Sequence, residues 1–317
     1  MNTDLRHALL IAGPTAAGKS EVALQLAAQL GGEILTVDSM QVYRGLDLGT
    51  AKPTPAQRQH VPHHLIDVVE ITAAFDTARF VQLAERALAE VRARGRVPIL
   101  CGGTGLYFKA LLEGLGKTPP ADARLRAELE ATPLAELLAE LERRDPVTLA
   151  RIDRHNPRRV VRALEVIRLT GQPFSAQRAT WQRTPTPEAA ATSVRLLGLR
   201  RVPEDLRARI DARTEAMFAA GLVPETRSLL ARGLERNRAA MQAIGYRQVI
   251  EYLRKERSLP ETIALVKRRT WQFARRQMTW FRHQLPTEWL TVSAGETPAA
   301  VAARVLRWSG LNRLNGG

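Results

Sequence analysis

Residues Gly13 to Ser20 read GPTAAGKS, a full match to the phosphate-gripping pattern G-x-x-x-x-G-K-[ST]. In that pattern the backbone of Gly13, Pro14, Thr15, Ala16, Ala17 and Gly18 wraps an anion, with its N–H groups turned inward and a helix N-terminus behind them. Lys19 then reaches the outer phosphate, and the Ser20 hydroxyl holds a Mg²⁺. An octapeptide can match by chance, so the flanks decide. Ala8 to Ala12 is a short apolar run suited to a buried strand, and Glu21 to Leu30 suits a helix. Strand, glycine loop, helix is the context the pattern needs, and it implies a ligand with at least two linked phosphates.

Two further apolar runs end in residues that can do chemistry. In ILTVDSMQVY, Ile34 to Tyr43, Asp38 directly follows a strand candidate. Residues just past strand C-termini of an open α/β sheet face the ligand crevice. Asp38 can serve there as a carboxylate toward Mg²⁺, as a general base toward a bound nucleophile, or as an N-cap. In VPILCGGTGLY, Val97 to Tyr107, the strand ends in Gly102, Gly103, Thr104 and Gly105. The glycines permit close backbone approach, and Thr104 brings a hydroxyl to the same crevice. No acidic residue stands at this strand end, which weighs against a nucleotide hydrolase. His60, His63 and His64 lack a cysteine or helical HExxH frame and read as loop or crevice-lining side chains. Cys101 has no basic neighbour in sequence and reads as a small core residue.

The elements that must position these groups follow from periodicity. Strand candidates Ala8 to Ala12, Glu33 to Val37 and Val97 to Cys101 alternate with helices Glu21 to Leu30 and Thr77 to Arg94, the pattern of a parallel sheet covered by helices. Gly49 to Thr54, GTAKPT, is expected to be a mobile segment near the substrate. After Gly116 the character changes. Pro119 and Pro120 break the chain, and Ala123 to Leu169 is rich in Leu, Ala, Glu and Arg with helical spacing. A polar stretch, Gly171 to Ala191, leads to a returning strand at Val194 to Leu199, with a last strand near Trp289 to Val292. The fold class expected is α/β: a P-loop NTPase-like parallel sheet flanked by helices. Residues 1–117 and 192–317 form its core, and 118–191 a helical insertion domain.

Composition bounds the partners. The 317 residues carry 47 Lys and Arg against 32 Asp and Glu, a formal net charge of +15. A polyanion is the natural partner of such a chain. A single cysteine excludes an intrachain disulfide and fits a reducing compartment. No run approaches the ~20 apolar residues of a membrane span, and the N-terminal apolar run is too short for a signal-peptide core. The expectation is a cytoplasmic protein with no membrane partner. From Arg254 to Arg282 nine Lys and Arg face two acidic residues, with Trp271, Phe273, Trp280 and Phe281 interleaved. Arg268, Gln272, Arg275 and Arg282 share one helical face, able to track phosphates while aromatics pack inward or stack on bases.

GPTAAGKS, DSMQVYRGLDLGTAKPT, HHLID, GGTGLY, NPRRVVRALEV, QAIGYRQ and ARRQMTWFR, in order from residue 13 to residue 282, together resemble the signature set of bacterial tRNA dimethylallyltransferases. The resemblance implies transfer of a five-carbon prenyl group from dimethylallyl diphosphate to N6 of the adenosine 3′-adjacent to a tRNA anticodon. It implies that the phosphate loop grips an isoprenoid diphosphate, replacing the Asp-rich DDxxD boxes of other prenyltransferases, which are absent. Asp38 resembles the base that takes the amine proton, and Thr104 its hydrogen-bonding partner. Lys19, the loop, Mg²⁺ on Ser20, and Arg209 or Arg213 would stabilise the departing diphosphate. The resemblance places Asp38, Ser39, Met40, Gln41, Thr104, Arg158, Arg159, Val160, Val161 and Arg162 on the anticodon stem-loop, with Arg126 a further candidate. It also places there Gln242, Ala243, Ile244, Gly245, Tyr246 and Arg247, and the run Arg275, Arg276, Gln277, Met278, Thr279, Trp280, Phe281 and Arg282. A monomer is implied. Two other readings share the loop or the charge: a P-loop small-molecule or nucleotide kinase, and a nucleic-acid-binding factor with a regulatory nucleotide.

Overall fold

The structure is a computed structural model that describes residues 5, 7–115, 118–177 and 194–310. The chain divides into two compact units, Met1–Leu112 with Glu188–Gly317, and Glu113–Pro187.

Among the described residues the first unit is built on six strands: β1 (Leu9–Ala12), β2 (Glu33–Val37), β3 (His63–His64), β4 (Pro98–Gly102), β5 (Leu196–Arg200) and β6 (Thr287–Thr291). Their order is β3-β2-β4-β1-β5-β6 and every pairing is parallel. Ile11 stands opposite Cys101 on one side and Leu197 on the other. Parallel strands need crossovers, and crossover helices cover both faces, so alternate residues of β1 enter different cores. Leu10 and Ala12 join Leu35, Leu100, Phe80, Phe108 and Phe281, whereas Leu9 and Ile11 join Ile99, Leu26 and Val301. After β1 the chain moves out to β2 and β3, returns to β4, then crosses to β5 and β6. The C-terminal end of β1 is thus the switch point where a ligand crevice opens.

The helices of this unit are α1 (Lys19–Leu30), α2 (Pro55–His60), α3 (Thr77–Ala93) and α4 (Gly105–Glu113), the last running just past the unit boundary. After the second unit come α10 (Pro203–Ala219), α11 (Leu222–Ala231), α12 (Tyr246–Leu253), α13 (Leu259–Gln284) and α14 (Pro298–Ser309). The 26-residue α13 starts at a reciprocal capping box, in which the Ser258 side chain receives the Glu261 N–H and the Glu261 side chain the Ser258 N–H. A third core, including Tyr43, Leu46, Val69, Leu222, Leu229 and Tyr246, joins α11 and α12 to residues 42–71.

The second unit is helical: α5 (Ala123–Ala131), α6 (Leu134–Arg144), α7 (Pro146–Arg151), α8 (Pro157–Thr170) and α9 (Phe174–Gln177). Leu129, Leu137, Leu141, Val160, Leu164 and Ile167 form its core. The expected helical run Ala123 to Leu169 is divided by Pro133, Pro146 and Pro157, each at the start of a new helix. Proline's missing N–H costs nothing in a first turn and ends any helix that precedes it. Residues 178–191 of the expected polar stretch lie outside the described residues.

Candidate active site

The phosphate loop joins β1 to α1 as the sequence requires, and its shape explains its glycines. Gly13 has φ 139° and Gly18 φ 97°, a region that side chains rarely enter. At Gly13 a methyl group would also lie closer than 3.0 Å to the Leu199 carbonyl oxygen of β5. Ala16 is left-handed too, with φ 64°. Two loop carbonyls are held by arginines: Arg209 donates from Nε to the Ala16 oxygen (2.9 Å) and Arg201 from Nε to the Ala17 oxygen (3.0 Å). The Thr15 N–H is held by Gln277 Oε1 and the Ala17 N–H by the Pro14 oxygen, so the loop is fixed in the wrapped shape of an anion cradle. Lys19 donates to the Pro14 oxygen across the loop (2.7 Å). Burial pulls its ammonium below the ordinary lysine value, opposed by Cys101 and Asp38 and reinforced by Arg213.

A cavity of about 530 Å³ opens over the loop, lined by Thr15, Lys19, Ser20, Asp38, Arg209 and Arg213 among others. That volume suits a small ligand. Arg213 donates to the Thr15 hydroxyl (3.2 Å), and burial lowers its pKa against the attraction of Glu21 and Asp38. Both arginine candidates of the sequence therefore reach the loop, one turn apart on α10. Arg201, which sequence reasoning missed, follows directly on β5, where the strand-end rule that found Asp38 also applies.

Asp38 faces the loop across this cavity. Its Oδ1 accepts the N–H groups of Met40 (2.8 Å) and Gln41 (3.2 Å), so it anchors its own turn as well as lining the cavity. Ser39 donates its N–H to Thr104 Oγ1 (3.1 Å), and Thr104 donates its own to the Val37 oxygen (3.2 Å). Thr104 thus ties the ends of β2 and β4 together, one residue behind the lining Gly103. Cys101 also lines the cavity, and burial pushes its thiol up to about 12, which keeps it protonated and unreactive. His63 belongs to the two-residue strand β3, which no sequence pattern announced. It pairs with the Val61 oxygen (2.7 Å), lines the cavity, and is held toward its neutral form by burial. His64 pairs with Glu33 (2.6 Å), which also receives Arg94.

The segment Gly49 to Thr54, expected to be mobile, is instead tied at several points. Gly49 donates its N–H to the Tyr246 hydroxyl (3.0 Å) and Gln41 donates to the Thr50 oxygen (2.9 Å). The buried Lys52 ammonium donates to Asp47 (2.8 Å) and Asp67 (2.5 Å). A polar, proline-containing sequence suggests freedom only when its long-range partners are unknown.

The residues assigned by resemblance to RNA fall into two sets. Val160, Val161, Ala243, Gly245, Tyr246, Gln277 and Phe281 are buried, and their contacts are internal. The Tyr246 hydroxyl donates to Glu225 (2.7 Å). Arg126 and Arg162 both pair with the fully buried Glu165 (2.6 Å each), spending their charge inside the second unit. Gln277 receives the Thr15 N–H and donates to the Gly103 oxygen, both at 2.9 Å. Arg158, Arg159, Gln242, Arg247, Arg275, Arg276, Thr279 and Arg282 are exposed, with Ser39, Met40, Gln41, Ile244, Met278 and Trp280 partly so. Arg275, Arg276, Thr279 and Trp280 line an open groove along α13.

Among the described residues no group of three or more His, Cys, Asp or Glu side chains could hold a metal ion. On a cavity wall that also carries Glu21, the Ser20 hydroxyl and the Asp38 carboxylate fit a Mg²⁺ that draws most of its ligands from phosphate and water. No helix among these residues is long and apolar enough to cross a membrane.

The sequence model of a family described as IPP transferase matches residues 41–284. The tRNA dimethylallyltransferase of Halorhodospira halophila is 48% identical over 283 residues, 87% of this chain and 90% of its own length. That of Kineococcus radiotolerans is 45% identical over 307 residues, 93% and 94% of the two. The crystal structure of a tRNA isopentenylpyrophosphate transferase from Bacillus halodurans aligns with TM-score 0.67 at 35% identity, covering 97% of this chain and 99% of that one. A eukaryotic dimethylallyltransferase acting on tRNA aligns with TM-score 0.77 at 25% identity, covering 96% and 79%. With the loop, the facing carboxylate and these likenesses in agreement along nearly its whole length, the chain belongs to the IPP transferase family.

Proposed function

We propose that this protein is a tRNA dimethylallyltransferase, moving the dimethylallyl group of dimethylallyl diphosphate to N6 of the adenosine 3′-adjacent to the anticodon. The observation that carries this reading is one cavity lined both by the phosphate loop and by the Asp38 carboxylate at the end of β2. An exocyclic adenine amine is a weak nucleophile because its lone pair is delocalised into the ring. As the N6–C bond forms, Asp38 takes the amine proton. The C–O bond to the diphosphate breaks, and the electron pair leaves with the diphosphate oxygen. Lys19, the loop N–H groups, Arg209 and Arg213 stabilise that charge in a partly desolvated site. A Mg²⁺ on Ser20 would add positive charge to the same leaving group.

The adenosine must leave its stack to reach Asp38, which the single-stranded anticodon loop allows. We assign RNA contact to the exposed arginines 158, 159, 247, 275, 276 and 282, and to Gln41 at the cavity mouth. Residues 118–191 contribute the first two as an RNA-contacting insertion, and the protein acts as a monomer in the cytoplasm. Incubation with unmodified tRNA, Mg²⁺ and either labelled dimethylallyl diphosphate or γ-labelled ATP tests the reading. Label passes from the isoprenoid into RNA; transfer of a γ-phosphoryl group with RNA left unalkylated would return the protein to the kinases.

A further inference from the structure

We infer that Gln277 is a positioning residue whose side-chain amide sets the separation between the phosphate cradle and the carboxylate that faces it. The inference rests on the transferase reading and deepens it. Gln277 lies in α13 amid exposed arginines, yet it is 8% exposed. Both ends of its amide are used: Oε1 accepts the Thr15 N–H of the phosphate loop, and Nε2 donates to the Gly103 oxygen of the turn after β4. That turn is shaped around α13. A methyl group on Gly103 would overlap the Gln277 amide, and one on Gly105 would overlap the Trp280 ring. Between these glycines Thr104 holds the Val37 oxygen with its N–H and receives the Ser39 N–H on Oγ1. Ser39 follows Asp38, whose Oδ1 receives the Met40 and Gln41 N–H groups. One amide therefore fixes the loop directly and Asp38 through the turn.

The chemistry is specific. The site needs an acceptor toward Thr15 and a donor toward Gly103 on one short planar group. Methionine fills the space but offers neither as strongly. An ionised glutamate keeps the acceptor and sets an oxygen against the Gly103 carbonyl. A protonated glutamate restores both, with an O–H in place of Nε2.

Steady-state transfer by Gln277→Met and Gln277→Glu tests this, together with calorimetric binding of pyrophosphate and of an anticodon stem-loop. For Gln277→Met we expect kcat to fall ~10- to 100-fold while each ligand binds within about threefold of wild type, because misplacement penalises the reaction more than the binding. For Gln277→Glu the ratio of its kcat to that of wild type rises as pH falls, whereas the Gln277→Met ratio stays flat. The other ionisable groups that line the same cavity, Lys19, Glu21, Asp38, Lys52, His63, Cys101, Arg209 and Arg213, are present in all three proteins, and the Gln277→Met ratio controls for them. A Gln277→Met kcat within twofold of wild type overturns the inference, as does a flat ratio for Gln277→Glu. If Gln277→Met does not fold, the pH ratio of Gln277→Glu decides alone. Failure of wild type to alkylate RNA would instead overturn the transferase reading.

Discussion

Asp38 carries two jobs on one carboxylate, and the structure separates them. Oδ1 holds the turn at Met40 and Gln41, while the side chain lines the cavity opposite Lys19. Asp38→Asn keeps an oxygen for the turn and loses the base, so it isolates the chemistry. Turnover should fall ~10²- to 10⁴-fold, the usual worth of a positioned general base, with stem-loop affinity within a few-fold. Asp38→Asn that turns over like wild type would remove Asp38 from proton transfer. Lys19 answers to a different readout. Its half-buried side chain lines the cavity within reach of the loop, so Lys19→Ala should weaken pyrophosphate binding more than stem-loop binding, measured by calorimetry on each. Equal loss for both ligands would make Lys19 a folding residue. These two residues were legible because each stands directly past an apolar strand or inside a fixed-spacing pattern. Arg201 stands past a strand as Asp38 does, but its bond to the Ala17 oxygen, like that of Lys52 to Asp67, joins segments that no local period connects.

Helix α13 shows at the scale of an element what a motif conceals. Its sequence displays charge density and aromatics, and the exposed set, Arg275, Arg276 and Arg282, agrees with a phosphate-tracking face. Within the same motif, Gln277 and Phe281 point into the protein, Phe281 meeting Phe108 edge-on at 6.1 Å. Two helical faces alternate within eight residues, so a contiguous motif necessarily mixes them. Replacing Arg275 and Arg276 together by Gln should weaken stem-loop binding and lower the slope of log K against log salt by about one for each phosphate these arginines neutralise. Titration at several salt concentrations measures it, and an unchanged slope would return this face to solvent. The QAIGYRQ motif is similarly divided. Tyr246 is a strut whose hydroxyl links Glu225 to the Gly49 N–H beside the cavity wall. Tyr246→Phe leaves both without that partner and should cost about 1–3 kcal/mol of stability, with faster amide exchange at Gly49 in particular. The strands were readable as apolar runs because helices cover both faces. Two-residue β3 and the glycine-led α4 were not, since neither carries a period nor a strong start signal.

For the molecule as a whole, a net charge of +15 favours encounter with RNA and leaves the fold dependent on its carboxylates. Several of these are held below the ordinary carboxylate range by cationic partners. Arg94, with His64, holds Glu33 there against burial, and Arg168 holds Glu140. Burial opposes ionisation of Asp67, but Lys52 and Arg58 prevail. Arg195 and Arg304 do the same for Glu288 and Glu296. All these folded-state values are depressed, so the unfolded chain binds more protons as pH falls past about 4, where free carboxylates titrate. The stabilisation is therefore present above that range and is lost as pH drops through the folded values. Over the same interval the 47 Lys and Arg stay charged while their counter-charges vanish, and self-repulsion adds to the loss. Thermal unfolding followed from pH 7 to pH 3 should show a steep fall in midpoint below about pH 4, eased by added salt as it screens the excess positive charge. Glu33→Gln should flatten part of that fall by removing one depressed carboxylate that bridges β2 to Arg94 and His64. A midpoint that holds steady to pH 3 would mean that these ion pairs contribute little to the fold, and that packing of the cores on the two sheet faces suffices without them.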